Sequence, residues 1–406
     1  MELGDLITMR AAVYEKYGPP DMVQIRDIAR ARMYYIDNIR IYLSILVILH
    51  HVAVAYGGSG GWFLNEAPTD TISPIIFLLF NALNQSYFMS FFFILAGYFT
   101  PRSLEKKGPA NFMKGRLIRL GIPMIFFVVF LAPLTYWLVA NLAHNLGISF
   151  YSIWRDVLKF TTLQNISFGH LWFLEVLIIF VLGYVIYSAQ NENYQSNLVF
   201  YENSFPPNRI IITSIGVLAV TTFLVRIWFP INTWIFSVQP AHMVGYLFSF
   251  VVGILAYRGK WFDNLSTQQA RFCGKIAIIN TLVLSITISL TVGGGGSIDV
   301  FLGRISWQSL FNSVWESISY MSIVIWLLYF FRSRFIKQNR LLRWMAPNVY
   351  AAYIFHQIVV VAVMIPLLNV AWPSVIKFFT VSIIGVPLSF LVSYIAKKTP
   401  YANNVL

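Results

Sequence analysis

Arg40 and His51 are ionisable residues within one apolar stretch near the start of the chain, eleven positions apart. At about 100° per residue, this spacing places both on one face of a helix, about 16 Å apart along its axis. His50 is rotated by about 100° and cannot share that face. Ionisable groups inside apolar spans are costly, so each is a candidate for function. Histidine suits proton transfer near neutral pH, although a hydrogen bond to a neighbouring helix is the alternative role for either imidazole.

His170 and Glu175 open another apolar stretch, GHLWFLEVL at 169–177. Five positions correspond to about 140° beyond a full turn, so the two side chains are expected to serve different neighbours. Both are candidate catalytic residues, and the alternative is a structural pair or a hydrogen bond at the helix end. Structural roles are favoured for three further ionisable residues in apolar stretches: His242, Glu316 and His356.

The elements that position these side chains are long apolar helices. The chain has 406 residues, of which 58% are hydrophobic and 11% are charged. Soluble domains have about 45–50% apolar and about 25% charged residues, so soluble, disordered and fibrous classes are excluded. The apolar runs are continuous, which excludes the alternating pattern of a membrane barrel. The predicted fold class is an all-α polytopic membrane protein in a lipid bilayer, with about ten transmembrane helices near 35–56, 73–99, 120–140, 170–189, 208–229, 242–257, 276–292, 311–331, 347–368 and 374–396.

The distribution of charge predicts the orientation of these helices. The chain has 29 Lys and Arg residues against 16 Asp and Glu, a net charge of +13. Most of the basic residues precede the first span or follow the second, sixth and eighth spans. Cytoplasmic loops carry an excess of Lys and Arg, so both termini are predicted to be cytoplasmic. We therefore attribute the net positive charge to Lys and Arg in the cytoplasmic loops. No nucleic-acid partner is predicted.

Three segments are expected along the chain. Residues 1–33 form a polar cytoplasmic arm, in which MRAAVYEKYGPPDMVQIRDI at 9–28 resembles the first strands of the zinc-type alcohol dehydrogenase and quinone reductase family. We interpret this arm as a fusion or start-site remnant, and an ordered cytoplasmic arm is the alternative. Residues 34–398 form the transmembrane domain, and residues 399–406 form a short cytoplasmic tail.

The motifs of soluble enzymes are absent from the sequence. It contains no Gly-rich nucleotide loop, no GxSxG elbow and no HExxH zinc pair. Cys273 is the only cysteine, so there is no disulfide and no cysteine metal site. No metal is expected.

Five segments of the chain carry a family resemblance when they are taken together. YYIDNIRIYLSILVILHHVAVAYGG contains Arg40 and His51 in an R-x10-H arrangement. In this order and over residues 34–398, the segments resemble the acyltransferase-3 family of membrane O-acyltransferases. The HLWFLE form is most similar to the periplasmic-glucan succinyltransferase branch. The other four segments are SYFMSFFFILAGYF at 86–99, KGRLIRLGIP at 114–123, GHLWFLEVL at 169–177 and YAAYIFHQ at 350–357.

The resemblance implies an activity and a location. Members move an acyl group, commonly acetyl or succinyl, from cytoplasmic acyl-CoA to a hydroxyl of a carbohydrate or glycolipid at the outer face of the membrane. The expected location is the plasma membrane, the inner membrane of a bacterium. Acyl-CoA is the expected co-substrate, and the oligomeric state is left open, with a homodimer among the options.

The resemblance also implies residue roles. His51 becomes the catalytic histidine, and Glu175 or His170 would orient the base or the acceptor. Arg40, Arg116 and Arg119 become candidates to bind the donor. The chain departs from many members in having two adjacent histidines at 50–51, and from some in lacking a fused extracellular esterase-like domain.

Two rival functions differ in what they require of the sequence. A polytopic transporter or flippase for a sugar or lipid predicts inverted repeats with matching broken spans, and no such symmetry is visible. A non-catalytic scaffold would not need Arg40 and His51 together on one helix face. Direct transfer and a covalent acyl-histidine intermediate are both compatible with the sequence.

Overall fold

A computed structural model describes most of the chain. Residues 14–23 of the arm, half of the segment that resembles dehydrogenase strands, lie outside the described residues, as do three residues of the predicted tail. The described residues are 6–13, 24–31, 33–160, 167–191, 193, 199, 201–400, 402 and 405–406.

Among these residues, ten helices are long and apolar enough to cross a membrane, which confirms the predicted number of spans. Several of them, most clearly α2, α3, α7 and α9, extend beyond the predicted apolar runs, because a helix need not end where the apolar sequence ends. The ten helices are α1 (Tyr34–Ala55), α2 (Ser73–Lys107), α3 (Pro109–Ala143), α4 (Gly169–Gln190), α5 (Asn208–Trp228), α6 (Pro240–Arg258), α7 (Thr267–Gly293), α8 (Trp307–Arg334), α9 (Arg340–Leu367) and α10 (Ser374–Ala396).

The start of α1 and the end of α10 lie at the same end of the bundle, because Asn38 donates to the carbonyl of Phe335 just before α9 and Lys397 donates to that of Pro347 in α9. There the Arg332 guanidinium of α8 donates to the carbonyls of Phe262 and Leu265 in the α6–α7 connection. At the other end, Lys377 of α10 forms an ion pair with Glu66 of the α1–α2 connection. We call the first the basic end, because its connections carry most of the Lys and Arg residues, and the second the opposite end. The assignment of the basic end to the cytoplasm stays a prediction.

The arm departs from the all-α prediction. Strand β1 (Leu6–Val13) pairs with strand β2 (Gln24–Ala31) in an antiparallel sheet of two strands. Leu6 faces Ala31 in the register, and Val13 faces Gln24. The all-α prediction rests on the apolar runs, and this hairpin lies outside them. Its origin as a remnant or as an ordered arm stays a prediction.

Helices α2 and α6 pack backbone against backbone through glycine. A Cβ atom added to Gly97 would lie 2.1 Å from the carbonyl oxygen of Phe250, and one added to Gly253 would lie 2.2 Å from that of Ile94. No side chain fits in either position, so the LAGY and VVGI segments allow a contact that larger residues would prevent. Both helices also contribute residues to a central cavity of the bundle, together with α1, α4, α7 and α8.

Helix α3 is irregular. Turns of π-helix at Leu117–Gly121, Phe127–Leu131 and Val139–Ala143 interrupt its α-helical turns. Pro123 and Pro133 each follow a π turn within two residues. Proline has no N–H and clashes with the preceding turn, so a locally widened helix accommodates it. π turns inside helices are frequent at functional sites, and the first one here carries Arg119.

Candidate active site

Three histidine rings from three helices meet near the opposite end of the bundle. His51 lies in the last turns of α1, His170 in the first turn of α4 and His356 in the middle of α9. The ring centroid of His356 lies 5.0 Å from that of His51 and 4.7 Å from that of His170. The sequence predicts His51 and His170 as site residues and favours a structural role for His356. We call these three residues the histidine cluster.

A chain of hydrogen bonds assigns the proton positions on two of these rings. The Nδ1 atom of His356 lies 2.7 Å from the carbonyl oxygen of Tyr353. A carbonyl can only accept, so Nδ1 of His356 donates, and Nε2 of the neutral ring is an acceptor. This Nε2 atom lies 3.0 Å from Nδ1 of His51, which must then be the donor. Nε2 of His51 therefore carries the lone pair that a general base or a nucleophile needs.

His170 is fixed in the opposite tautomer. Its Nε2 atom lies 3.2 Å from the carbonyl oxygen of Ile354, so Nε2 donates and Nδ1 carries the lone pair. This buried Nδ1 atom has no hydrogen-bond partner among the described residues. The Tyr353 hydroxyl donates to the His170 carbonyl, which ties the first turn of α4 to α9. The cluster thus presents two imidazole acceptors, one on His51 and one on His170.

The connection between α1 and α2 covers His51. The indole of Trp62 stacks on the His51 ring, with centroids 4.3 Å apart and ring planes at 20°. The Nε1 atom of Trp62 is buried and has no hydrogen-bond partner among the described residues. The ion pair between Glu66 and Lys377 anchors the same connection to α10. Trp62 is not among the site residues predicted from the sequence, although an indole in a Gly-rich loop directly after the span of His51 is a usable signal.

His50 has different partners from His51. Its ring stacks on Phe88 of α2 with centroids 5.0 Å apart. Its Nδ1 atom is buried without a hydrogen-bond partner among the described residues. Both histidines line the central cavity, so the helix face alone does not separate them. The difference is that His51 has His356 and Trp62 as partners.

Glu175 lies apart from the histidine cluster. Its carboxylate has a hydrogen bond with the side chain of Ser237, and its Oε2 atom has no partner among the described residues. The Ser237 hydroxyl accepts from the backbone N–H of Phe168, two residues before His170. Of the two residues predicted to assist His51, the structure thus brings His170 to it, whereas Glu175, in the second turn of α4, bonds to Ser237.

A cavity of about 270 Å³ opens beside the histidine cluster. This volume is near the lower limit for small-molecule sites. The wall combines aromatic rings with neutral hydrogen-bonding groups, a lining suited to a ligand that has apolar faces and many hydroxyls. The aromatic members are Phe88, Trp172, Trp234, Tyr246, Phe301, Phe311, Trp315 and Tyr353, and the amides are Asn81, Gln85, Asn232, Gln239 and Asn312.

Four basic side chains lie close together at the basic end. Arg116 is half-buried in α3 and is close enough to Arg119 and Arg40 to be affected by both positive charges. Lys397, directly after α10, is also close to Arg119. Burial and this positive charge lower the pKa of Lys397. We call these four residues the basic cluster, and its mutual repulsion favours an anionic ligand.

The three donor-binding candidates therefore lie together. The guanidinium of Arg119 lies over the ring of Tyr350 in α9, 5.4 Å from its centroid, and the Tyr350 hydroxyl donates to the Arg119 carbonyl. Arg40 is 4.0 Å from the carboxylate of Asp37 and stays exposed. The wide separation of Arg40 and His51 along α1 puts the basic cluster and the histidine cluster at different depths of the bundle.

The described residues contain no group of three or more His, Cys, Asp or Glu that could hold a metal ion. Two rings of the histidine cluster bond to each other, and the third bonds to a backbone carbonyl. Cys273 is a buried free thiol in α7. The expected lack of a metal stays a prediction.

Comparisons with known proteins agree with the resemblance read from the sequence. A family model described as an acyltransferase domain matches residues 33–397. Curated relatives named glucans biosynthesis protein C come from Escherichia coli O17:K52:H18, with 27% identity over 252 residues, and from Escherichia coli K12, with 26% identity over 251 residues. Each match covers 60% of this chain and 62% of the relative, less than two thirds of its length. No solved structure matches the chain.

Proposed function

Since the chain belongs to the acyltransferase-3 family of membrane O-acyltransferases, we propose that it moves an acetyl or succinyl group from cytoplasmic acyl-CoA to a carbohydrate or glycolipid hydroxyl at the outer face of a bacterial inner membrane. The contact between His51 and His356 is the observation that carries this proposal. It leaves Nε2 of His51 as an acceptor beside a cavity suited to a hydroxylated ligand. The relatives' name, glucans biosynthesis protein C, favours a carbohydrate acceptor.

The basic cluster is the proposed binding site for the donor. Acyl-CoA carries phosphate groups, and guanidinium groups bind phosphate oxygens in a bidentate manner. Arg40, Arg116 and Arg119 would hold these phosphates at the basic end. The thin pantetheine arm would then extend along α1 and bring the thioester to His51, about 16 Å further along the axis.

The proposed reaction begins with proton transfer to His51. Nε2 of His51 takes the proton of the acceptor hydroxyl while the hydroxyl oxygen attacks the thioester carbonyl carbon. The carbon–sulfur bond breaks, the new ester forms, and the protonated imidazole returns the proton to the leaving thiolate to give free CoA thiol. His356 continues to accept from Nδ1 of His51 and holds the ring in place throughout.

His170 and Trp62 are the proposed assistants of this step. The free Nδ1 atom of His170 is an acceptor that can orient the incoming hydroxyl. The N–H of Trp62 is a buried donor next to His51, available to the thioester oxygen as negative charge develops there. Glu175 would act only indirectly, through Ser237 and the loop that holds His170.

Acyl transfer by the purified protein tests the proposal. Radiolabelled acetyl-CoA and succinyl-CoA would each be offered with short gluco-oligosaccharides, with His51→Ala as the inactive control. Mass spectrometry of envelope glycans from cells with and without the protein would identify the acyl group and the acceptor. The expected result is label in the oligosaccharide and acyl groups on a glycan only in cells that have the protein. Identical glycans together with no label transfer would contradict the proposal.

A further inference from the structure

We propose that the central cavity is the acceptor site and that Glu316 makes it select uncharged carbohydrates and reject anionic ones. This inference rests on the proposed function and goes beyond it, because neither the family nor the relatives' names say which residue discriminates between acceptors. The site is the end of the cavity at α5, α6 and α8, where Glu316 lies with Arg226 and His242.

Two side chains, Arg226 and His242, contact the carboxylate of Glu316. Its Oε2 atom forms an ion pair with the guanidinium of Arg226. Its Oε1 atom lies 3.3 Å from Nδ1 of His242. Arg226 is fully buried, and its Nη1 atom is 3.4 Å from the Ser313 hydroxyl. A carboxylate fixed in this way keeps its position and its charge when a ligand arrives, so it is preorganised to bind one.

The ion pair between Glu316 and Arg226 has its negative member at the cavity and its positive member away from it. Glu316 is 20% exposed and lines the cavity, whereas Arg226 does not line it. Among the described residues that line the cavity, Glu316 is the one acidic side chain, and no Lys or Arg lines it. The cavity therefore meets the negative end of the ion pair and the positive end stays in the helix bundle. A sugar hydroxyl can donate to this carboxylate, whereas an anionic group would be repelled by it.

Aromatic rings connect this carboxylate with the histidine cluster. Trp172 follows His170 by two residues, and its ring stacks on Tyr246 with centroids 5.2 Å apart. Tyr246 stacks in turn on His242, with centroids 6.0 Å apart. The Tyr246 hydroxyl accepts from Nε2 of Gln85 at 2.9 Å. Such a wall packs against the apolar faces of sugar rings while amides and the carboxylate bind the hydroxyls.

The two substrates would then be separated by charge. The basic cluster attracts the phosphates of the donor at one end of the bundle, and Glu316 repels anions from the acceptor cavity near the other. An acceptor that carries a phosphate or a carboxylate would be excluded for the same reason. The chemical class that fits is a neutral, hydroxyl-rich glycan.

A matched pair of acceptors tests this selectivity. The first is a short neutral gluco-oligosaccharide, and the second is the same compound with one C6 hydroxymethyl group oxidised to a carboxylate. Equilibrium binding of both in tritiated form, and acyl transfer to both, would be measured with the purified protein. The wild type is expected to prefer the neutral compound by about 10-fold or more, since a like charge placed near Glu316 weakens binding. Equal binding of the two compounds by the wild type overturns the proposal.

The variant Arg226→Gln/Glu316→Gln removes both charges and leaves no unpaired ion in the bundle. Replacing both members of a buried ion pair is often tolerated, whereas removal of one member is not. The preference for the neutral acceptor should disappear in this variant. The matched control is Arg258→Gln/Glu105→Gln, which removes an Arg–Glu pair from α6 and α2 that does not line the cavity and should keep the preference.

The outcomes separate this inference from the proposed function. If the wild type transfers no acyl group to either compound but still binds the neutral one better, the proposed function fails and the selectivity of the cavity stands. If transfer occurs without discrimination, or if the Arg226→Gln/Glu316→Gln variant keeps the full preference, the function stands and the role of Glu316 is wrong. The wild-type comparison needs no variant, so the proposal can be overturned even if the double variant does not fold.

Discussion

The Nδ1 atom of His51 lies 3.0 Å from the Nε2 atom of His356, although the two residues are 305 positions apart in the chain. The carbonyl of Tyr353 on the far side of His356 gives this contact its direction, because it forces the His356 ring to accept from His51. The contact therefore makes Nδ1 of His51 the donor and leaves the lone pair on Nε2. The predictions below depend on this assignment and on the two clusters at different depths of the bundle.

His51→Ala is expected to lower acyl transfer by about 10²–10⁴-fold, the usual contribution of a positioned general base. Donor binding should persist, because the basic cluster is untouched. His50→Ala is the matched control and should have a mild effect, since the ring of His50 stacks on Phe88 and has none of the partners of His51. Radiolabel transfer by each purified variant, with a donor-binding assay alongside, is the measurement. If His50→Ala is inactive and His51→Ala is active, the catalytic role belongs to His50.

His356 is expected to act as a positioning residue. His356→Gln keeps an acceptor for Nδ1 of His51 and should retain most of the activity. His356→Leu removes the acceptor and should lower kcat by about 10–100-fold, the range seen for groups that orient metal-binding histidines. The KM for the donor should change little in both variants, and the pH profile should shift only in the Leu variant. Equal loss in the Gln and Leu variants would indicate a structural role instead.

Trp62 is expected to contribute through its ring and its N–H. Trp62→Phe keeps a ring over His51 but removes the donor, and should lower kcat by up to about 10²-fold if the N–H stabilises the developing oxyanion. Trp62→Ala should also admit water and raise hydrolysis of acyl-CoA relative to transfer. Trp372→Ala is the control, since that indole is exposed in the connection before α10. Full activity of Trp62→Phe would exclude the N–H from the reaction.

Arg116→Ala/Arg119→Ala is expected to weaken acyl-CoA binding by roughly 10-fold, as two phosphate contacts are lost. Higher salt should weaken binding by the wild type in the same direction and affect the double variant less, because exposed charges are screened. Arg271→Ala/Lys275→Ala removes two exposed charges from α7, outside the basic cluster, and should leave the affinity unchanged. An unaltered affinity in the Arg116/Arg119 variant would exclude these arginines from the donor site.

The sidedness of the basic end can be measured with single cysteines. Cys273 is buried, so Asn264→Cys and Ser297→Cys in a Cys273→Ser background would each offer one exposed thiol. On intact cells, an impermeant maleimide should label Ser297→Cys, between α7 and α8. Asn264→Cys, between α6 and α7, should react only after permeabilisation. The reverse pattern would rule out donor entry at the basic end from the cytoplasm.

The sequence by itself determined the membrane class, the ten spans and the family. These follow from long apolar runs and from short motifs. Both are made of residues that are close together in the chain, so they can be recognised without the tertiary structure. The shared helix face of Arg40 and His51 stays a prediction from the sequence, since helix geometry relates two positions on one element. The basic residues at 116 and 119 could be selected in the same way, from a motif within a single helix.

Only the tertiary structure decided which residues meet across helices. His356 joined His51, Trp62 folded over it, and Glu175 stayed on Ser237. The ion pair of Glu316 with Arg226 joins residues that are 90 positions apart. Such contacts depend on how helices pack in three dimensions, and the spacing of residues along one helix carries no information about the rotation of its neighbour. The His356 ring that bonds to Nδ1 of the proposed base likewise lies on another helix, where the Tyr353 carbonyl orients it.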